Sequence, residues 1–145
     1  MKSLLLSWQL WALLSAAFAA LTAIFAKVGI ESVQSDYATF VRTIVILCAI
    51  TAMLFLTDGW QSPSTIPARS WIFLVLSGLA TGGSWLCYFR ALKLGKAAEV
   101  APVDKLSVVL VAIFAAVFLG ERLSTVHWFA VGMIATGAVL LAIRI

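Results

Sequence analysis

Five long apolar runs, separated by short polar stretches, set the pattern of this chain. Residues 4–26 carry no charge, residues 38–56 carry only Arg42, and residues 71–89 carry none. Residues 97–119 hold Glu99, Asp104 and Lys105 in their first half, and residues 126–143 are again uncharged. Each run is about 20 residues long, which at about 1.5 Å per helical residue crosses a hydrocarbon layer of about 30 Å. In lipid a backbone must satisfy its own hydrogen bonds, so the pattern predicts five transmembrane helices and no separate soluble domain.

The connections fit these boundaries. "TDGWQSPSTIPARS", residues 57–70, carries Gly59, Pro63 and Pro67 and reads as an aqueous loop. Gly95 and Gly120 stand where a helix C-terminus favours a residue tolerant of positive φ, and Ser124 is placed to cap the last helix. "SAAFAA", residues 15–20, resembles the end of a signal peptide, but the apolar run continues and four more follow; the first segment is therefore expected to remain as a span.

Composition agrees. Hydrophobic residues make up 63% of the 145 and charged residues 11%, against roughly half and a quarter in soluble domains. The excess apolar surface needs a bilayer. The formal net charge of +4 is dispersed, without the basic block of a nucleic-acid binder. Lys and Arg therefore serve better as topology signals. Lys2, Arg69 and Arg122 fall on one face; Lys27, Arg42, Arg90, Lys93, Lys96 and Arg144 fall on the other. That bias predicts an outside N-terminus and a cytoplasmic C-terminus.

Candidate chemistry is sparse. Cys48 and Cys87 lie in apolar runs and form no CxxC pair, and His127 has no second His to share a metal, so neither metal nor cofactor is expected. No hydrolase, zinc-protease or phosphate-loop motif occurs, which argues against an enzyme and against ATP-driven transport. Ser77, Thr81, Ser84 and Tyr88 share one face of the third segment, with Trp85 adjacent and Gly78 and Gly82 alongside. Such a stripe serves either a wet cavity or close helix packing.

The fourth segment contains "VAPVDKLSVVL". If its helix begins at Ala97, Lys105 lies roughly 12 Å along it, where an unpaired charge costs a few kcal/mol. Alternatively Pro102 opens the helix, Asp104 favours its first turn, and Lys105 snorkels to water. Asp104 and Lys105 differ by about 100° around a helix, so one is expected to meet solute while the other pairs with Arg42 or a loop carboxylate. By loop connectivity Tyr88, Arg90, Asp104, Lys105 and Arg42 belong to one membrane face. The candidate solute-binding residues are thus Lys105, Asp104, Tyr88, Trp85, Ser84, Thr81 and Arg42.

"YFRALKLGKAAEVAPVDKLSVVLVAIFAAVFLGERLS", followed by "GMIATGAVLLAI", resembles the EamA repeat of the drug/metabolite transporter superfamily. The resemblance covers essentially the whole chain and is carried by the aromatic-x-x-Ala-Leu, the Pro entry to helix four, "LGE" and the Gly-x-x-x-x-Gly of helix five. It implies a half-transporter bundle in the inner (cytoplasmic) membrane, moving a small metabolite or drug. It also implies that helices three and four line the solute path and that Glu121 is structural or gating. The Asp104–Lys105 pair departs from relatives that are apolar or hydroxylic there. Typical members carry two inverted repeats in ten spans, whereas one appears here.

The expected assembly is consequently a homodimer, with Gly78 and Gly82 or Gly132, Thr136 and Gly137 available for close contact. Antiparallel pairing restores an inverted arrangement and is placed first, although the six-to-three bias opposes an even mixture of orientations. The alternative to transport is a non-transporting membrane subunit that assembles with another membrane protein.

Overall fold

The computed structural model describes residues 7–143; Lys2 and Arg144 of the orientation count, and the start of the first predicted span at Leu4, lie outside them. The helices are α1 (Trp8–Gly29), α2 (Ser35–Leu56), α3 (Ala68–Leu94), α4 (Ala97–Asp104), α5 (Ser107–Phe118) and α6 (Thr125–Ala142), with a short 3-10 turn at Pro63–Thr65. Helices α4 and α5 form one stretch, so five helical segments are long and apolar enough to cross a membrane. Among the described residues there is no strand. The protein is an all-α, multi-pass membrane protein.

Several helices outrun the apolar segments. Helix α3 continues five residues past Phe89, through Arg90 and Lys93, and α1 continues through Lys27. Lys and Arg are good helix formers and their charges suit a helix C-terminus, so the helix runs on where the apolar run stops. Asp36, in the first turn of α2, meets the opposite end of the dipole.

Turn chemistry differs from expectation at Gly95. The end of α2 puts Asp58, not Gly59, in the left-handed region (φ 50°), and the Gly59 N–H donates to Leu54 O at 3.0 Å. Among the described residues Gly120 is the only glycine at positive φ (68°), so Gly95 ends its helix without that device. Ser124 caps α6 as expected, its side chain accepting from the His127 N–H.

Two compact units divide the chain, Ala26–Lys93 and the pair of segments Met1–Phe25 and Leu94–Ile145. In the second unit α6 packs against both α4 and α5. Ala138 is buried there. In the first unit the buried residues gather near one end of the helices: Ala26, Ile30, Thr39, Phe89 and Leu92. Most large apolar side chains are exposed on the protein alone, the surface expected to meet lipid.

Candidate functional site

In the unit Ala26–Lys93, α2 and α3 run antiparallel and are tied by two polar rungs. The first is a bidentate pair: Arg90 Nε donates to Asp36 Oδ1 at 2.9 Å and its NH2 to Oδ2 at 2.7 Å. Six residues further along α2 and five residues back along α3 lies the second rung. There the Arg42 guanidinium lies over the Trp85 ring, 3.2 Å from its centroid, with the Phe89 ring 5.8 Å away. Trp85 meets Tyr88 edge-on at 5.5 Å and Phe89 at 5.8 Å. Three of the candidate residues, Arg42, Trp85 and Tyr88, therefore form one cluster, joined by Phe89.

The two rungs differ chemically. Arg90 is exposed and its charge is met by a carboxylate. Arg42 is partly buried, about 10 Å into its helix from Ser35, and it makes no ion pair among the described residues. Its neighbours are aromatic faces, whose quadrupole attracts a cation.

Beyond the first rung, two lysines close that end of the unit. Lys27 Nζ, on the last turn of α1, donates to Leu92 O on α3 at 2.6 Å. Lys93 Nζ, on the last turn of α3, donates to Ile30 O at 2.8 Å and Val33 O at 2.6 Å in the α1–α2 connection. Lys27 thus serves a carbonyl in the last turn of α3, and Lys93 serves the carbonyl just past the end of α1, where the dipole concentrates negative charge. Asp36, Lys27 and Lys93 were not candidates in the sequence. Their signal was position in a first or last helical turn.

The polar stripe on α3 is only partly available for outside contacts. Ser77, Thr81 and Ser84 are exposed, but Thr81 Oγ1 donates to Ser77 O of its own helix at 2.8 Å. Thr136 does the same to Gly132 O at 2.9 Å. A hydroxyl that back-bonds to the i−4 carbonyl hides its donor and retains only acceptor capacity.

In the other unit, Asp104 and Lys105 sit at the α4–α5 junction. Helix α4 begins at Ala97, so Pro102 lies inside it rather than opening it. Proline has no N–H and its ring crowds the carbonyl of Ala98. The helix tightens just after: Lys105 N–H reaches Pro102 O at 3.1 Å, Leu106 reaches Val103 O at 3.0 Å, and Val108 reaches Lys105 O at 3.0 Å. These are three-residue spacings, a 3-10 constriction in an otherwise continuous span. Lys105 Nζ lies 3.3 Å from Asp104 Oδ2. The flexible lysine stem spans the angular offset, and the two candidates pair with each other.

Glu121 of "LGE" is exposed, and its backbone N–H closes the end of α5 by donating to Ala115 O at 3.1 Å. Gly78, Gly82, Gly132 and Gly137 have nothing within 4 Å of an added Cβ, so these small faces are open within the chain.

The profile of the EamA-like transporter family matches residues 6–143. A Sinorhizobium sp protein named "Uncharacterized transporter in cobO 3'region" is 66% identical over 137 residues, 94% of this chain and 97% of that protein. A Vibrio cholerae protein named "Uncharacterized transporter" is 28% identical over 91 residues; they make up 61% of this chain and 30% of that longer protein. No solved structure matches significantly. With a family match along almost its whole length, and a similar relative named as a transporter, the chain belongs to the EamA-like transporter family of membrane proteins.

Proposed function

We propose that the protein is a secondary transporter of small organic solutes, working by alternating access as a homodimer in the inner membrane, with antiparallel pairing placed ahead of a parallel dimer whose C-termini are cytoplasmic. The observation that carries this reading is the Arg42–Trp85–Tyr88 cluster within the spans. A charge at such a depth costs a few kcal/mol unless it serves a pathway or a partner. The Asp104–Lys105 pair adds a second polar element within a span. Absence of a phosphate-loop motif from the sequence favours a gradient over ATP as the energy source. The open faces at Gly78, Gly82, Gly132 and Gly137 support close contact with a second copy. The Sinorhizobium relative, matched over 97% of its own length, supports a one-repeat chain as the working subunit.

Purified protein in proteoliposomes, offered a panel of labelled organic acids, amines and neutral metabolites under an imposed proton or sodium gradient, tests the reading. Gradient-dependent accumulation of at least one solute is expected. A folded, reconstituted protein that moves none of them sinks transport and leaves the non-transporting subunit. Cysteine labelling at each terminus in intact cells tests orientation: reaction of both termini from the outside supports antiparallel pairing, and labelling of one terminus only, on one side only, leaves a parallel dimer or an unidentified partner.

A further inference from the structure

We propose that Arg42 is the recognition group for the carboxylate of an organic-acid solute, with Trp85 and Tyr88 receiving the solute's apolar body. The inference rests on the transport reading above and specifies the substrate class. Stacking occupies one face of a guanidinium. Its N–H groups lie in the plane of the group and point outward from its edge, so a stacked arginine keeps its hydrogen-bonding fork. The described residues offer that fork no acceptor: the contacts of Arg42 are the rings of Trp85 and Phe89.

The nearest rung explains why no protein carboxylate intervenes. Asp36, six residues toward the start of α2, already gives both oxygens to Arg90. Arg42 is left with a full positive charge inside a span, its guanidinium carbon 3.2 Å from the centre of a ring on the neighbouring helix. A planar carboxylate matches the fork with two parallel hydrogen bonds and cancels the charge. A cation is repelled there, and a neutral amide recovers neither gain. The Trp85 edge contacts with Tyr88 and Phe89 fix the ring on which the guanidinium rests, so the donor is positioned before solute arrives.

The test pairs each acid with its isosteric amide. Wild-type protein in phosphatidylcholine nanodiscs is titrated with benzoate and benzamide, then hexanoate and hexanamide, following thermal unfolding, and labelled benzoate is offered to proteoliposomes. The acids should stabilise the protein and the amides should not. Arg42→Met should weaken benzoate binding roughly ten- to hundredfold. Arg42→Lys, which keeps the charge without the fork, should fall between. Arg69→Met, a charge removed elsewhere, should match wild type. If Arg42→Met fails to fold, the Arg42→Lys intermediate and the acid–amide contrast still decide the matter.

Equal behaviour of acids and amides, or wild-type benzoate binding by folded Arg42→Met, overturns the proposal. So does a difference between wild type and Arg42→Met that appears only when phosphatidylglycerol replaces phosphatidylcholine, since lipid phosphate would then be the occupant. Uptake of another solute, unaffected by Arg42→Met, overturns the role of Arg42 while transport stands. Benzoate binding that depends on Arg42, without uptake of any solute, supports the site and counts against transport.

Discussion

Replacing Lys93 with Met retains much of the stem and deletes the ammonium. Lys93 Nζ makes two short hydrogen bonds, to Ile30 O at 2.8 Å and Val33 O at 2.6 Å, and a long contact of 3.5 Å to Glu31 O. A bond from a charged donor contributes about 1.5–3 kcal/mol when desolvated. The Ile30 bond is partly buried, beside a side chain that is itself buried, but Lys93 is exposed, so the bond counts at the lower end of that range. The Val33 bond is exposed and counts for little. Lys93→Met should therefore cost about 1–2 kcal/mol, measured by equilibrium unfolding in mixed micelles. A local readout accompanies it: the thiol of Ser32→Cys, in the connection that Lys93 holds, should be labelled faster in the Lys93→Met background. Lys96→Met is the matched control. It removes one positive charge from the same face, but Lys96 is highly exposed and its contact with Glu99 is 3.7 Å, worth at most about 0.5 kcal/mol. If Lys93→Met costs no more than Lys96→Met and leaves the Ser32→Cys labelling rate unchanged, the clasp contributes nothing and the reasoning fails.

Leu92→Ala should cost about 2–4 kcal/mol, because Leu92 is fully buried, whereas Leu94→Ala, at a side chain 87% exposed, should change unfolding little. Asp58→Gly should stabilise by roughly 0.5–1 kcal/mol by relieving a non-glycine residue at φ 50°, and Gly120→Ala should destabilise by about 1 kcal/mol at φ 68°; opposite signs in one unfolding assay are the check. Lys105→Met should lower solute uptake by stranding the Asp104 carboxylate, and adding Asp104→Asn should restore part of it. Uptake equally low in the double variant would assign Lys105 to the solute rather than to Asp104.

The number of helices was legible because a bilayer imposes one length and one composition on every span. Their ends were not, and the error has a direction. Reading apolar runs stops α1 and α3 at the first lysine or arginine, yet both helices continue through Lys27, Arg90 and Lys93. These extra turns carry the contacts that hold the unit Ala26–Lys93 at one end. The same residues counted in sequence as orientation signals turn out to be engaged, Lys27 and Lys93 with carbonyls and Arg90 with Asp36. A charge count carries no partner information, so a topology signal and a structural clasp look alike until the helices are placed side by side.

The candidate site divides along the same line. Composition could single out Arg42, a lone charge in an apolar run, and Trp85, an aromatic beside a polar stripe. Loop connectivity put Arg42 at the same membrane face as Tyr88, but supplied no contact between Arg42 and Trp85. The join follows from register: once α2 and α3 run antiparallel, fixing Asp36 opposite Arg90 brings Arg42, about 9 Å along, to the level of Trp85, about 7.5 Å back. The two arginines then have unlike fates for a local reason. The carboxylate lies within reach of Arg90, and the ring lies within reach of Arg42. Asp104 and Lys105 show the converse, since spacing along the helix set them apart while side-chain length brings them together. Their charges cancel within the pair. Arg42 keeps its own, and the proposed preference of its cluster for an anion rests on that difference.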